Sequence, residues 1–264
     1  MSVSTHFRPP AVAGLFYPGD SQQLAVEVSA LLAECHPPLL HPKALIAPHA
    51  GYIYSGPVAA QAYALLTPLR AIVQRVLLLG PVHRVPIHGL ATTGADYFRT
   101  PLGDVPIDGR AVMEACKLPQ VAIHDGAHGP EHSLEVHLPF LQTVLDDFSL
   151  VPFAVGMASA TEVAQVLDLL WGGEETLIVV SSDLSHYHGY QEAQRLDRQT
   201  ADDILHLHPL SSHEQACGAT PINGLLEAAR LRGLRPTLLD LRNSGDTAGD
   251  KSRVVGYGAF AFEA

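Results

Sequence analysis

The chain has 264 residues, enough to bury roughly three quarters of the surface its unfolded form exposes, so folding needs no disulfide or metal staple. Hydrophobic residues make up 47% and charged residues 16%, which excludes intrinsic disorder and a coiled coil. A formal net charge of −11 excludes a non-specific nucleic-acid binder, because nothing offsets phosphate repulsion.

In chain order, residues 1–16 lack the basic start and apolar run of a signal peptide. No stretch approaches the ~18–20 apolar residues of a membrane span. Cys35, Cys116 and Cys217 are too few and too scattered for a disulfide framework. The expectation is a cytoplasmic protein that needs no membrane. Asp20 or Ser21 is placed to cap a helix burying Leu24, Val28, Leu31 and Leu32. Residues 43–48 (KALIAP) read as a buried strand, and 55–66 as a helix with Pro57 in its first turn. A second strand follows at 75–81 (RVLLLGP). The turn-rich segment 96–108 reads as a hairpin or excursion beside the sheet. Leu134, Leu138, Leu141, Leu145 and Phe148 recur at helical spacing, and Pro139 must start, kink or split that helix. Strands at 150–156 and 176–182 alternate with helices at 161–171 and 190–205. A helix over 220–233 ends on a glycine stop. Strands at 237–242 and 254–262 close the chain, and Gly256 and Gly258 in the last suggest close backbone approach. The alternation predicts one α/β domain over 1–264, a sandwich with a largely parallel central sheet flanked by helices.

The chemistry collects where strands end. KALIAP runs into His49, RVLLLGP into His83, and TLIVVSS into Asp183 and His186. Open α/β sheets bind ligands outside the carboxyl ends of their strands, so these loops are expected on one rim. One histidine after a strand is ordinarily a loop or capping residue; three such loops on one edge favour a site. Residues 131–139 (EHSLEVHLP) add Glu131, His132, Glu135 and His137. On a helix, His132 and Glu135 would share a face. A carboxylate beside imidazoles serves as ligand, orienting group or general base, and the plainer reading is a solvated helix start. Cys217 precedes a predicted helix, where a thiol pKa is lowered; the plainer reading is a small buried hydrophobe. Cys35 and Cys116 read as packing residues. His124 and His128 read as loop residues near the site with no assigned role, and His36, His41, His88, His206, His208 and His213 as loop or surface residues. No dinucleotide turn, Walker loop, nucleophile elbow, C-x-x-C or H-E-x-x-H pattern is present.

Taken together, PHAGYIYSG (48–56), LLGPVHRVP (78–86), EHSLEVHLPF (131–140), SSDLSHY (181–187), CGATPI (217–222) and SGDTAGDKSRVVGYGAFAF (244–262) resemble the Memo family, whose prokaryotic members are called AmmeMemoRadiSam system protein B. The match is collinear over nearly the whole chain. The resemblance implies the fold of class III extradiol (LigB-type) dioxygenases and one metal ion. It implies His49, His83 and Cys217 as metal ligands and His186, with Asp183 beside it, as the acid/base pair. Glu131, His132, Glu135 and His137 would line or brace the pocket. It also implies functional association with radical-SAM and AMMECR1-like proteins.

A thiolate third ligand departs from the two-histidine, one-carboxylate set usual in non-haem iron oxygenases. It is softer, so Fe(II) or Cu is expected as the cofactor, with Zn as the further alternative. Three functions compete. One is a redox metalloenzyme acting on a catechol-like or related aromatic small molecule. Another is a metal-dependent binding module without turnover. The third is a zinc hydrolase with Glu131, Glu135 or His186 as base. A short turn would let Asp183 accept a hydrogen bond from the His186 imidazole.

Overall fold

The computed structural model describes residues 5–264; the first four residues, part of the stretch read for a leader, lie outside it. In chain order the strands are β1 (Phe7–Arg8), β2 (Ala44–Ala47), β3 (Arg75–Pro81), β4 (Leu90–Thr92), β5 (Tyr97–Thr100), β6 (Gly103–Pro106), β7 (Val121–Ile123), β8 (Ser149–Val155), β9 (Thr176–Ser181), β10 (His186–His188), β11 (Arg235–Asn243) and β12 (Val254–Glu263). The large sheet runs β10-β12-β2-β9-β3-β8-β4-β7, with β11 on the other side of β12. Its centre, β2-β9-β3-β8, is parallel. Its flanks are antiparallel, at β12–β2 and at β8–β4. The fold class is α/β as expected, but the sheet is mixed. The flanking strands pair with partners distant in sequence, β4 with β8 and β12 with β2, which the apolar runs alone do not reveal.

The four central strands are apolar on both faces because both faces are covered. Leu45, Val76, Leu78 and Val179 pack under the helices Ser21–Ala33, Tyr52–Ala64 and Leu138–Val144. Ala44, Ile46, Leu77 and Val180 pack under Gly109–Ala115, Ala160–Leu169 and Ala219–Arg232. The hairpin expected within 96–108 forms as β5–β6, with β1 added in parallel to make a separate three-stranded sheet. No helix among the described residues is long and apolar enough to cross a membrane.

Helix signals were legible at several ends. Asp20 accepts the amides of Gln22 and Gln23, and Gly233 takes φ 71° at the C-terminus of its helix. The helix predicted at 55–66 is Tyr52–Ala64, so Pro57 lies inside it. The Ile53 carbonyl, which Pro57 cannot reach with an N–H, belongs to a residue 67% exposed, so water can serve it. Pro139 starts the helix Leu138–Val144, and a 3₁₀ turn, Glu135–His137, precedes it.

Candidate metal centre

β2, β9 and β3 are parallel neighbours, so their carboxyl ends share one edge. His49, Asp183 and His83 follow them directly, as the strand pattern predicts. The segment at 131–137 crosses the same edge and adds His132. One ring nitrogen from each of His49, His83 and His132 lies within 4.8 Å of the other two. The ring centroids are 4.7–5.4 Å apart. This group of three imidazoles can hold a metal ion.

Hydrogen bonding decides which nitrogen each ring offers. Ser181 Oγ donates its one proton to the Ser133 carbonyl at 2.6 Å. At 2.6 Å from His49 Nδ1 it must therefore accept, so His49 carries its proton on Nδ1 and leaves Nε2 bare. His83 Nδ1 lies 2.9 Å from Glu131 Oε1, which likewise leaves its Nε2 free. His132 Nδ1 is 3.3 Å from the same oxygen. A carboxylate or hydroxyl behind a ligating histidine fixes its tautomer and raises its basicity. Burial pushes His49 well below the ordinary imidazole range, and His83, His132, His137 and His186 push it further. Burial also takes His132 down to about 4. Metal ligation needs neutral imidazole, so the donor set fits a cation. His49 is 2% exposed, whereas the His83 side chain is 29% exposed, so the group opens on the His83 side.

Glu131 organises this side. Burial opposes its charge, but hydrogen bonds from the His83 ring and backbone and from Ser133 outweigh that and hold it down to about 2. Glu135 faces away from His132, contrary to the shared helix face expected from their spacing. Residues 131–134 are not helical, and Glu135 instead binds Arg8, the amides of Ala11 and Val12, and Tyr17 Oη. His137 is buried, with Nδ1 2.7 Å from Tyr63 Oη, and burial takes it down to about 3. Neither Glu135 nor His137 belongs to the three-histidine group; both are bonded to buried partners outside it.

Cys217 Sγ lies 3.4 Å from the bare Nε2 of His49. Its thiol does not have the lowered pKa expected at a helix N-terminus. Burial, and then the Asp183 carboxylate, push it up to about 12. The expected Asp183–His186 hydrogen bond is absent as well. Asp183 Oδ1 accepts the His49 backbone N–H at 2.8 Å, and the carboxylate also takes the Ala50 amide. Burial pushes Asp183 up to about 7 against these bonds. His186 Nδ1 donates to the Leu184 carbonyl at 2.8 Å, so a backbone oxygen, and not a carboxylate, orients it with Nε2 free.

A bulge aims His186. The β10–β12 register shifts between His186 and His188, and Tyr187 takes φ 64°. Asp197, on the helix Tyr190–Leu205, accepts the Ser185 amide at 3.0 Å. Gly256 is required opposite, since a Cβ there would lie 2.1 Å from Asp197 Oδ2. Burial pushes Asp197 up to about 6 despite its bonds to Ser185. Between about pH 4 and pH 6 the unfolded chain has released this proton and the folded chain has not. The contribution of Asp197 to stability therefore falls as pH rises through that window, by about 2–3 kcal/mol. Asp197→Asn is expected to gain on wild type by that amount between pH 4 and pH 7. Denaturation midpoints at the two pH values check it, and parallel changes in the two proteins would refute it.

Sequence reasoning placed His132 in the pocket and not in the metal group. No strand precedes it, and only the tertiary crossing of its segment over the sheet edge brings it to His49 and His83.

A family model described as "Memo-like protein" matches residues 8–261. A "MEMO1 family protein" of Aquifex aeolicus is 36% identical over 262 residues, covering 95% of this chain and 97% of that one. Another from Aeropyrum pernix is 38% identical over 280 residues, covering 96% and 98%. The crystal structure of an uncharacterized protein from Escherichia coli K12 is similar in fold, with a TM-score of 0.54. It is 15% identical and covers 81% of this chain and 98% of that one, so the likeness concerns the fold alone. By the family model and these near full-length relatives, the chain belongs to the Memo-like family.

Proposed function

We propose that this chain is a metal-dependent oxidoreductase acting on a catechol-like or related aromatic small molecule. The observation that carries the reading is the convergence of three imidazoles at the carboxyl edge of parallel strands, two of them with Nε2 left bare by an orienting partner. In this reading His49, His83 and Cys217 hold one transition-metal ion, Fe(II) or Cu before Zn, and His132 adjoins them. When bound, the metal supplies Lewis acidity and a site for redox chemistry.

The chain's own residues then have distinct tasks. Ser181 and Glu131 hold the ligand tautomers. Asp183 holds the loop of His49 through two backbone amides and ties it to Cys217, whose N–H donates to the Asp183 carbonyl at 3.2 Å. His186 has Nε2 available as a proton acceptor, and burial, with the His83 ring nearby, disfavours charge on it.

The test is metal analysis of anaerobically purified protein followed by O₂ uptake with a catechol panel. About one metal ion per chain is expected, and His49→Ala with His83→Ala is expected to lose it while the fold persists. Full metal content in the double variant would remove the site assignment. Comparing Cys217→Ala with His132→Ala identifies the third ligand, because loss of a ligand lowers affinity far more than loss of a neighbour. Uptake with Fe or Cu supports the reading. Zn with hydrolysis would replace it by a hydrolase, and an occupied, inert site by a binding module.

A further inference from the structure

We infer that the cleft between the loop of His83 and the loop of Cys217 seats the apolar body of the substrate, which is not an anion, and this inference rests on the metal-enzyme reading above. The cleft has a volume of about 760 Å³, within the range of small-molecule sites. One wall is the loop after β3, through Val82, Pro86 and Ile87. The floor is the exit of β8, through Met157 and Ala158. The opposite wall includes Cys217. Cys217 Sγ is also 3.4 Å from His49 Nε2, so the cleft adjoins the metal group through Cys217.

The lining disfavours an anionic ligand. It contains no lysine or arginine. Its one carboxylate, Glu162, is committed to the Ser159 amide and hydroxyl at 2.7 and 2.8 Å. His213 has both nitrogens engaged, Nδ1 with the Cys217 carbonyl at 3.0 Å and Nε2 with Thr220 Oγ at 3.2 Å. An anion seated there would lose water, find no lysine or arginine to pair with and face the Glu162 carboxylate, whereas an apolar ring would lose nothing.

The frame of the cleft is rigid and one side chain in it is free. The Met157 amide donates to the Ile87 carbonyl at 2.9 Å, and its carbonyl accepts from Gly89 at 2.8 Å. Gly156 lets the two segments approach, since a Cβ there would lie 2.3 Å from the Ile87 carbonyl oxygen. The Met157 side chain stands 71% exposed over this frame. An unbranched thioether adapts to varied apolar shapes, which suits it to cover a bound ring.

The chain has three methionines, so methyl NMR reads the cleft directly. Protein labelled with ¹³C-methyl methionine and loaded with Zn(II) is titrated with naphthalene-2,3-diol, catechol and 3,4-dihydroxybenzoate. The Met157 methyl is expected to shift with naphthalene-2,3-diol, and that of Met113, 60% exposed on the helix Gly109–Ala115, to stay in place. Naphthalene-2,3-diol should bind about tenfold more tightly than either other diol, from burial of its second ring. Met157→Glu should remove about that factor, and Met113→Glu should not. A stationary Met157 methyl, no binding of naphthalene-2,3-diol, or equal affinity for dihydroxybenzoate would overturn the proposal. If the His49→Ala, His83→Ala variant still binds naphthalene-2,3-diol with the Met157 shift, the cleft stands and the metal-enzyme reading falls.

Discussion

Arg8→Met is expected to destabilise the protein by about 3–5 kcal/mol, the cost of breaking a buried ion pair from one side. Arg8 is 5% exposed and Glu135 is fully buried. The guanidinium binds the Glu135 carboxylate and the Glu131 carbonyl, and its Nε donates to the His128 carbonyl at 3.1 Å. Glu135 in turn accepts from Ala11 N at 2.7 Å, Val12 N at 3.0 Å and Tyr17 Oη at 2.6 Å. Removing the cation leaves a carboxylate sealed among amides and a phenol, with no water to reach it. An exposed pair such as Arg70–Asp146 is worth only ~0–1 kcal/mol, because solvent screens both partners. Chemical denaturation measures the difference. The double variant Arg8→Met, Glu135→Met should recover part of the loss, since no orphan charge remains. A loss below about 1 kcal/mol in Arg8→Met would mean that Glu135 is satisfied without its partner.

Glu131→Gln should weaken metal binding by about 10–100-fold, the usual effect of removing an orienting group behind a ligating histidine. Its two oxygens accept from the His83 amide at 2.5 Å, the His83 ring at 2.9 Å, and the amides of His132 and Ser133 at 3.0 Å. Every one of these partners is a donor. An amide NH₂ in place of either oxygen sets donor against donor, so the His83 loop must shift or its ring must turn. Either change moves Nε2 away from the shared centre. Competition against a Zn(II)-buffering chelator measures the affinity. An unchanged constant would show that Glu131 does not orient the ligands.

By itself, the sequence determined the α/β class and most element positions. Strands buried on two faces must be continuously apolar, as in RVLLLGP and TLIVVSS, and a glycine must stand where a helix ends left-handed, as Gly233 does. It also determined that His49, His83 and Asp183 share an edge, because parallel strands place their carboxyl ends together. Only the tertiary structure decided what those groups touch. The Asp183 carboxylate met the nearest unserved donors, the amides after β2, rather than the imidazole three residues on. Glu135 turned toward Arg8, 127 residues away, rather than toward His132. Burial raised the Cys217 thiol where the helix N-terminus alone would have lowered it. Spacing along a chain fixes direction only within regular structure. In loops and turns the partners come from distant segments, and burial sets their charge once those segments close over them.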